Sequence, residues 1–255
     1  MKTKRLLALL SAGALSVSML AGCGSTAKTD DTASDSAAAD TSASADSDLE
    51  YVKSQGKLVV GITDFAPMDY KEDGSDEWIG FDADMAKAFA ESIGVEAEFL
   101  EINWDNKIME LDGKGVDAVW NGMTLTDGVK TSMNCSVPYA TNVQVLVVPS
   151  DKATPDLAWD DVKSMSVAAE SGSAGEAVAT NLGLNVTAVP SQADALMEVA
   201  AGTSDACVID LLMEGAMIGE GTSYPNLAHA FDLTSKNHDE PENYVVGFRK
   251  DSDLT

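Results

Sequence analysis

The stretch NGMTLTDGVKTSMNCSVPY, residues 121–139, decides the fold of this chain because it begins where an apolar strand ends. The apolar run from Val116 to Trp120 predicts that strand, and small or polar residues follow it. In open α/β sheets, small molecules bind just beyond the carboxyl ends of the strands. We therefore expect Asn121, Gly122, Met123 and Thr124 to face a binding cleft.

Upstream of this stretch, short apolar runs alternate with amphipathic segments. Strands are predicted over 58–62, 95–100 and 116–120, and helices over 82–93 and 104–112. In the first helix Phe81, Met85, Ala88, Phe89 and the pair Ser92/Ile93 share one face, and Gly94 is expected to end it. This βαβαβ order predicts an α/β lobe with mainly parallel strands.

The same order recurs downstream. Strands are predicted over 166–169, 186–189 and 205–209, and helices over 176–182, 192–201 and 211–218, with Ser191 and Asp194 as a capping box. Two extended runs, 139–148 and 244–248, are interpreted as hinge strands that cross between two lobes. The predicted lobe 1 comprises 49–140 and 244–255, and lobe 2 comprises 141–243. Asp251 to Thr255 resembles the entry to one more helix, so we expect a C-terminal helix of lobe 1 to be missing here.

Four strand ends bring polar or aromatic residues to the expected cleft between the lobes. They are Asp64 with Phe65, residues 121–124, residues 170–175, and Asp210. Each has a purely structural alternative, since Asp64 could form a turn, Phe65 could belong to the core, and Ser173 and Asp210 could cap helices. Their convergence on one cleft favours binding roles.

Residues 121–139 closely resemble a signature of the solute-binding proteins that feed amino-acid ABC importers, extracellular solute-binding family 3. There, Gly-Met-Thr-Ile-Thr-x-Glu-Arg precedes a Phe-Ser-x-Pro-Tyr stretch. The resemblance covers about residues 50–255 and implies an α/β, two-lobed periplasmic-binding-protein type II fold with two hinge strands, whose lobes close on solute. It also implies a protein that captures a small polar solute, an amino acid or a related amine, and passes it to an ABC importer permease.

Such a protein performs no chemistry. One alternative is an enzyme on the same fold, such as a dehydratase, for which Glu170 and Asp210 are the candidate general acids or bases in the cleft. The other alternative is the ligand-sensing domain of a receptor.

The resemblance also implies a role for individual residues. The Gly122 carbonyl and the Thr124 hydroxyl would hold the amino and carboxyl groups of the solute. The N–H groups of Ser173 and Ala174, at the start of a helix, would meet its carboxylate. Asp210 would pair with its ammonium group, and Phe65 and Trp104 would flank its side chain. Trp120 is a further candidate for an aromatic wall, with packing inside lobe 1 as the alternative.

Two positions depart from the family pattern. Val129 stands where the family has an arginine that clamps the α-carboxylate through paired hydrogen bonds, and Glu170 stands where some members have a lysine. Both changes make the cleft less positive. Three interpretations remain open: Lys130 or another cation substitutes, helix N–H groups alone hold a zwitterionic solute, or the solute is cationic and lacks an α-carboxylate.

The N-terminus predicts export. Lys2, Lys4 and Arg5 precede an apolar run that ends at Cys23, which is typical of a lipoprotein signal peptide over 1–22. Resemblance to a lipobox implies cleavage before Cys23 and lipid on its thiol. The segment after it, up to residue 48, is almost wholly Ser, Ala, Thr and Asp, which predicts a disordered tether over 23–48. We expect an extracytoplasmic protein that contacts the membrane through its N-terminal lipid only.

Composition narrows the possible partners. A formal charge of −26 argues against nucleic acid as a partner, because such a surface repels phosphate. Cys135 and Cys207, the cysteines that remain after lipidation, are expected to be buried free thiols in different lobes. With two histidines and no Cys/His cluster, the sequence predicts no metal site and no cofactor. We expect a monomer.

Overall fold

Two β-sheets with helices on their faces make up residues 47–255, the part of the chain that the computed structural model describes. The predicted signal peptide, Cys23 and nearly all of the predicted tether lie outside these residues. The sheet of lobe 1 contains β1 (Lys57–Ile62), β2 (Glu96–Glu101), β3 (Ala118–Thr124), β4 (Asn134–Cys135), β5 (Ala140–Asn142) and β11 (Glu242–Phe248). Its helices are α1 (Asp48–Gln55), α2 (Phe81–Ser92), α3 (Lys107–Asp112) and α4 (Asp127–Ser132).

Lobe 2 has the second sheet. Its strands are β6 (Gln144–Pro149), β7 (Ser166–Glu170), β8 (Asn185–Val189), β9 (Ala206–Asp210) and β10 (Leu227–Asp232). Its helices are α5 (Trp159–Val162), α6 (Ala174–Asn181), α7 (Gln192–Ala201), α8 (Leu211–Met217) and α9 (Leu233–Lys236). The predicted α7 matches the observed helix, and Ser191 caps it by accepting a hydrogen bond from the Asp194 N–H.

The strand order places the cleft at equivalent ends of the two sheets. It is β2-β1-β3-β11-β4 in lobe 1, with β5 also on β11, and β10-β6-β9-β7-β8 in lobe 2. The strands β2, β1 and β3 are parallel, as are β9, β7 and β8, which confirms the predicted βαβ units. β11 and β6, the strands that carry the chain between the lobes, are antiparallel to their neighbours.

Alternating side chains along the strands supply a core on both faces of each sheet. In lobe 1, Leu58, Val60 and Ile62 of β1 pack with Ala86 and Ala90 of α2. The opposite face of that sheet packs against α3 and α4. A further cluster crosses between the lobes, since Phe65 and Tyr244 pack with Val145 and Ile209 of lobe 2. The lobes therefore share an apolar contact behind the cleft.

The buried face of α2 differs from the prediction. Asp82, Ala83, Ala86 and Ala90 face the core, whereas Phe81 and Met85 are about half exposed. The sequence pattern gave weight to large apolar residues, whereas the fully buried positions of α2 hold three alanines and the hydrogen-bonded Asp82. Asp82 is buried because its carboxylate accepts hydrogen bonds from the Gly122 N–H and the Tyr139 hydroxyl.

The folded part begins earlier than the predicted tether boundary. Ser47 caps α1, and Asp48 is its first residue. Both carboxylate oxygens of Asp48 accept hydrogen bonds from Arg249 Nε at 3.0 Å, and Asp117 Oδ1 accepts one from Arg249 Nη2 at the same distance. This buried ion-pair cluster ties the last residues of the expected tether to the C-terminal end of β11.

Two further findings concern the described residues. None of the helices between 47 and 255 is long and apolar enough to cross a membrane. Cys135 on β4 and Cys207 on β9 are free thiols in different sheets, as predicted. Cys207 is buried as expected, whereas Cys135 is partly exposed, contrary to the prediction, because β4 is an edge strand.

Candidate functional site

A cavity of about 410 Å³ lies between the two lobes, at the carboxyl ends of β3, β7 and β9. Ten of the twelve residues that the sequence nominated line it: Trp104, Asn121, Gly122, Met123, Thr124, Val129, Glu170, Ser173, Ala174 and Asp210. The strand-end rule succeeds because parallel strands in both lobes end at this interface. Lys107, Gln144 and Gln192 also line the cavity and were missed.

Asp64 and Phe65 are absent from the lining. Asp64 is exposed, and Phe65 is fully buried with its ring edge-to-face on Tyr244, 6.4 Å between centroids. The chain turns tightly after β1, with the Phe65 N–H donating to the Asp69 carbonyl at 2.8 Å. This turn directs the Phe65 ring under Gly122 and into the apolar contact between lobes, so the core alternative for Phe65 is the correct one.

Trp120 packs inside lobe 1 as well. Its ring lies 6.2 Å from that of Phe89 and 6.5 Å from that of Tyr139, outside the cavity lining. Trp104 alone of the nominated aromatic residues borders the cavity. Lys107 Nζ lies 4.9 Å from the centroid of the Trp104 ring, within cation–π range.

Residues 121–124, which follow the predicted third strand, continue that strand. β3 extends to Thr124, and its pairing with β11 shifts register opposite Val246. Gly122 sits in this irregularity with φ +53°, a conformation that favours glycine. The Gly122 N–H donates to Asp82 Oδ2 at 2.6 Å, so a side chain outside the cavity lining fixes the backbone of Gly122. Burial raises the pKa of Asp82 to about 6, although hydrogen bonds from Tyr139 and Gly122 lower it.

The Thr124 hydroxyl, which the resemblance assigns to the solute, is engaged by the protein. It donates to Glu242 Oε2 at 2.9 Å, and the same oxygen accepts a hydrogen bond from Gln144 Nε2 at 2.8 Å. Glu242 and Gln144 belong to the two strands that cross between lobes. A polar residue inside the apolar run Val143–Val148 was a signal that could have identified Gln144 from the sequence.

Val129 reaches the cavity from the first turn of α4 and offers no hydrogen bond through its side chain. It is 3% exposed and packs with Met123 and Met133. The idea that Lys130 replaces the family arginine is wrong, because Lys130 is exposed and its Nζ pairs with Asp127 at 3.3 Å. Among the residues described, Lys107 is the basic side chain that borders the cavity.

Lys107 bridges the two lobes. Its Nζ donates to the Gly172 carbonyl of lobe 2 at 2.9 Å and to the Trp104 carbonyl at 3.1 Å. Burial lowers the pKa of Lys107, while Glu170, Asp105 and Glu176 raise it. The lobes touch closely here, since a Cβ on Gly172 would lie 2.6 Å from Asp105 Cα.

Ser173 is the N-cap of α6, which is the structural alternative that the sequence offered for this residue. Ser173 Oγ accepts from the Glu176 N–H at 3.0 Å, and Glu176 Oε2 accepts from the Gly172 N–H at 2.7 Å. The Ser173 N–H donates to the Glu170 carbonyl at 3.2 Å. Much of the donor capacity expected to meet a solute carboxylate is therefore used within lobe 2.

Asp210 lies at the end of β9 and is 4% exposed. Its Oδ1 accepts hydrogen bonds from Asn142 Nδ2 at 2.7 Å and from Gln144 Nε2, and its Oδ2 accepts from Gln192 Nε2 at 3.1 Å and the Tyr244 hydroxyl at 2.8 Å. Asp210 occupies the N-cap position of α8, but its side chain makes no capping hydrogen bond there. Burial raises the pKa of Asp210, and these four hydrogen bonds oppose that rise. All four donors are neutral, so they stabilise the charge without cancelling it.

Comparison with known proteins finds both a matching family and individual relatives. The sequence model of the bacterial extracellular solute-binding proteins, family 3, matches residues 58–251. The chain is 30% identical to the arginine-binding extracellular protein ArtP of Bacillus subtilis, over 78% of this chain and 76% of that protein.

Two solved structures extend the likeness to the fold. An amino acid ABC transporter substrate-binding protein from Streptococcus pneumoniae, bound to L-arginine, is 27% identical with a TM-score of 0.71, covering 81% of this chain and 86% of that one. An ancestral amino acid-binding protein, a precursor of cyclohexadienyl dehydratase, is 28% identical with a TM-score of 0.69, covering 80% and 87%. The predicted two-lobed fold is confirmed.

Proposed function

Since the chain belongs to family 3 of the bacterial extracellular solute-binding proteins, we propose that it captures a small ammonium-bearing solute, an amino acid or a related amine, for an ABC importer. The solute would enter the cavity between the lobes and leave to the permease unchanged. The arginine-binding relative and the arginine-bound structural neighbour support a cationic solute.

The buried carboxylate of Asp210 carries this proposal. It borders the cavity, and its four hydrogen-bond donors are neutral. A buried charge that is solvated but not neutralised produces a strong local potential, because water screens it poorly. Glu176 is a further acidic side chain of the lining, and the single lysine of the lining, Lys107, is engaged by two backbone carbonyls, so the cavity favours cations over anions.

A solute carboxylate would find little compensation. The Val129 side chain cannot donate a hydrogen bond, the Thr124 hydroxyl is directed at Glu242, and the Lys107 ammonium is shared by two backbone carbonyls. These contacts support the interpretation that the ammonium end is recognised and the α-carboxylate is not required. Pairs of solutes that differ only in the α-carboxylate distinguish recognition of the ammonium group alone from recognition of a whole amino acid.

The test is titration calorimetry of residues 47–255 with two such pairs, L-arginine with agmatine and L-lysine with cadaverine. At least one amine is expected to bind as tightly as its amino acid. Asp210→Asn should weaken binding by about 2–5 kcal/mol, the usual cost of removing one member of a buried charge pair. Glu240→Gln, an exposed acidic position outside the cavity, is the matched control. Failure of every ammonium-bearing solute to bind, or full affinity in D210N, would refute the proposal.

We also propose that the protein performs no chemistry, although one structural neighbour is the precursor of a dehydratase, an enzyme. His229 and His238 are exposed residues of lobe 2 outside the lining, and Asp210 is held by four hydrogen bonds. None of these three residues is placed as a proton shuttle to the cavity. Mass spectrometry of each bound solute after incubation should recover it intact, and a product would favour the enzyme alternative.

The lipid anchor at Cys23 is a proposal from the sequence, and the extracellular character of the family supports it. Cleavage before Cys23 and lipidation of its thiol would tether the folded lobes to the outer face of the membrane. Metabolic labelling with a fatty acid should mark the full chain and not Cys23→Ser. A labelled C23S protein would refute this assignment, and size-exclusion chromatography would test the expected monomer.

A further inference from the structure

The Thr63 hydroxyl lies at the junction of the two lobes, just after β1. It is 3% exposed, and its Oγ1 lies 2.9 Å from Asn121 Oδ1 and 3.0 Å from Glu170 Oε1. Glu170 belongs to lobe 2, so this contact holds the lobes together beside the cavity. A hydroxyl has one hydrogen to donate, yet an ionised Glu170 would offer Thr63 a second acceptor and no donor.

The amide of Asn121 cannot rotate to relieve this conflict. Asn121 Nδ2 donates to the Thr63 carbonyl at 3.0 Å and to Asp69 Oδ2 at 2.8 Å. Asn121 Oδ1 accepts from the Thr63 N–H at 3.1 Å. Its oxygen is therefore fixed as an acceptor facing Thr63. One of the two short oxygen contacts of Thr63 has no hydrogen unless Glu170 supplies it.

We propose that Glu170 is a positioning residue that carries a proton when the lobes are closed. Its carboxyl O–H donates to Thr63 Oγ1, and the Thr63 O–H donates to Asn121 Oδ1. Glu170 thus acts through Thr63 and Asn121 to hold lobe 2 on lobe 1, and is not the partner of a solute cation. When the lobes separate, the carboxyl meets water and releases the proton.

The charges around Glu170 agree with this assignment. Burial raises the pKa of Glu170 to about 8, and the Asp210 and Asp194 carboxylates raise it; the Lys107 ammonium lowers it, as does a hydrogen bond that Thr63 donates to the ionised carboxylate. Asp210 lies near the Glu170 carboxyl at the end of β9, Asp194 in α7, Thr63 just after β1, and Lys107 at the start of α3. Lys107 does not neutralise it by a direct ion pair, because its Nζ is directed at the Gly172 and Trp104 carbonyls.

Closure is therefore coupled to pH with a definite sign. The pKa of Glu170 in the closed form lies above the value of about 4.3 for a glutamate in water. Closing takes up a proton between these two values, so closure is favoured at low pH and is lost as pH rises toward 8. One proton per closing event corresponds to about a tenfold change in the closing equilibrium for each pH unit.

Carboxyl ¹³C NMR of the solute-free chain tests the protonation directly. Glu170→Gln identifies the resonance by its disappearance. We expect a titration midpoint near 8, and a midpoint at the ordinary glutamate value of about 4.3 would overturn the proposal. Thr63→Val, which removes the hydroxyl at nearly constant volume, should shift the midpoint and loosen the contact between the lobes.

Small-angle scattering across pH 6 to 9 tests the coupling. The wild-type chain should open as pH rises, whereas E170Q should stay closed because its amide donates to Thr63 Oγ1 at every pH. Glu240→Gln is the matched control, since it makes the same substitution at an exposed position of lobe 2 outside the cavity and keeps the Thr63 contact, and it should behave as wild type. A pH-independent wild type, or an E240Q variant as independent of pH as E170Q, would overturn the idea. No readout needs a solute, so a failed solute screen leaves this test intact.

Discussion

Replacing Gly122 with alanine is expected to destabilise the fold far more than the same change at another glycine with a positive φ. Gly122 has φ +53° at the irregularity in β3. An alanine Cβ there would overlap Phe65 Cε1 and lie 3.1 Å from Tyr244 Cε2. Both rings are fully buried and pack edge-to-face, so neither can move without disturbing the contact between lobes.

Two physical costs contribute to the magnitude. A left-handed backbone conformation costs a residue with a Cβ about 1–2 kcal/mol. Overpacking a well-filled core costs about 1–3 kcal/mol more. The expected loss in the free energy of unfolding for G122A is therefore about 2–5 kcal/mol. Gly183→Ala isolates the first cost, because Gly183 has φ +76° and no atom lies within 4 Å of its added Cβ.

Urea denaturation of wild type, G122A and G183A measures this difference. G183A should lose about 1–2 kcal/mol and G122A clearly more. In thermal unfolding, each kcal/mol should lower Tm by about 2–4 °C for a domain of this size. Equal losses in the two variants would refute the reasoning, because the ring contacts at Gly122 would then have no energetic effect.

Two other variants test buried groups around the cavity. Burial raises the pKa of Asp69 to about 8, so wild type should lose stability as pH rises from about 4 to 8, by up to about 1.4 kcal/mol for each unit, while Asp69→Asn should lose less. Urea curves at pH 5 and 8 measure this, and equal pH dependence in both proteins would contradict it. Val129→Arg should improve L-arginine over agmatine by about 1.5–3 kcal/mol, the strength of a hydrogen bond between charged groups. Calorimetry beside Val129→Met, which preserves packing with Met123 and Met133, measures the ratio, and an unchanged preference would count against a carboxylate position near α4.

The sequence predicted well those elements whose pattern is local. α7 and β9 have strong apolar periodicity and clear end signals, and their observed bounds agree with the prediction to within one residue. The prediction missed α1, α4, α5, α9, the strand β10 and the two-residue β4. Helices this short are marginal by themselves and form because tertiary contacts stabilise them. Asp48 of α1, for instance, depends on Arg249 from the other end of the chain.

In the candidate site too, residues with a local sequence signal were predicted and residues defined by distant partners were missed. Ten nominated residues line the cavity because they follow parallel strands, and strand ends can be identified along the chain. Lys107, Gln192 and Asn142 were missed because their importance lies in partners 18 to 68 residues away, such as Gly172 and Asp210. No local pattern reports such partners.

What the sequence determined by itself was the two-lobed α/β architecture, the family, and the set of strand ends that meet at the cleft. Periodicity and turn chemistry are local properties, so they can be recognised without coordinates. Only the tertiary structure decided that Phe65 belongs to the core, that Lys130 faces solvent, and that the Thr124 hydroxyl serves Glu242. It also brought Glu170 to Thr63 across the two lobes. These outcomes depend on which buried donors and acceptors meet, and burial makes each unmatched group costly enough to select one arrangement.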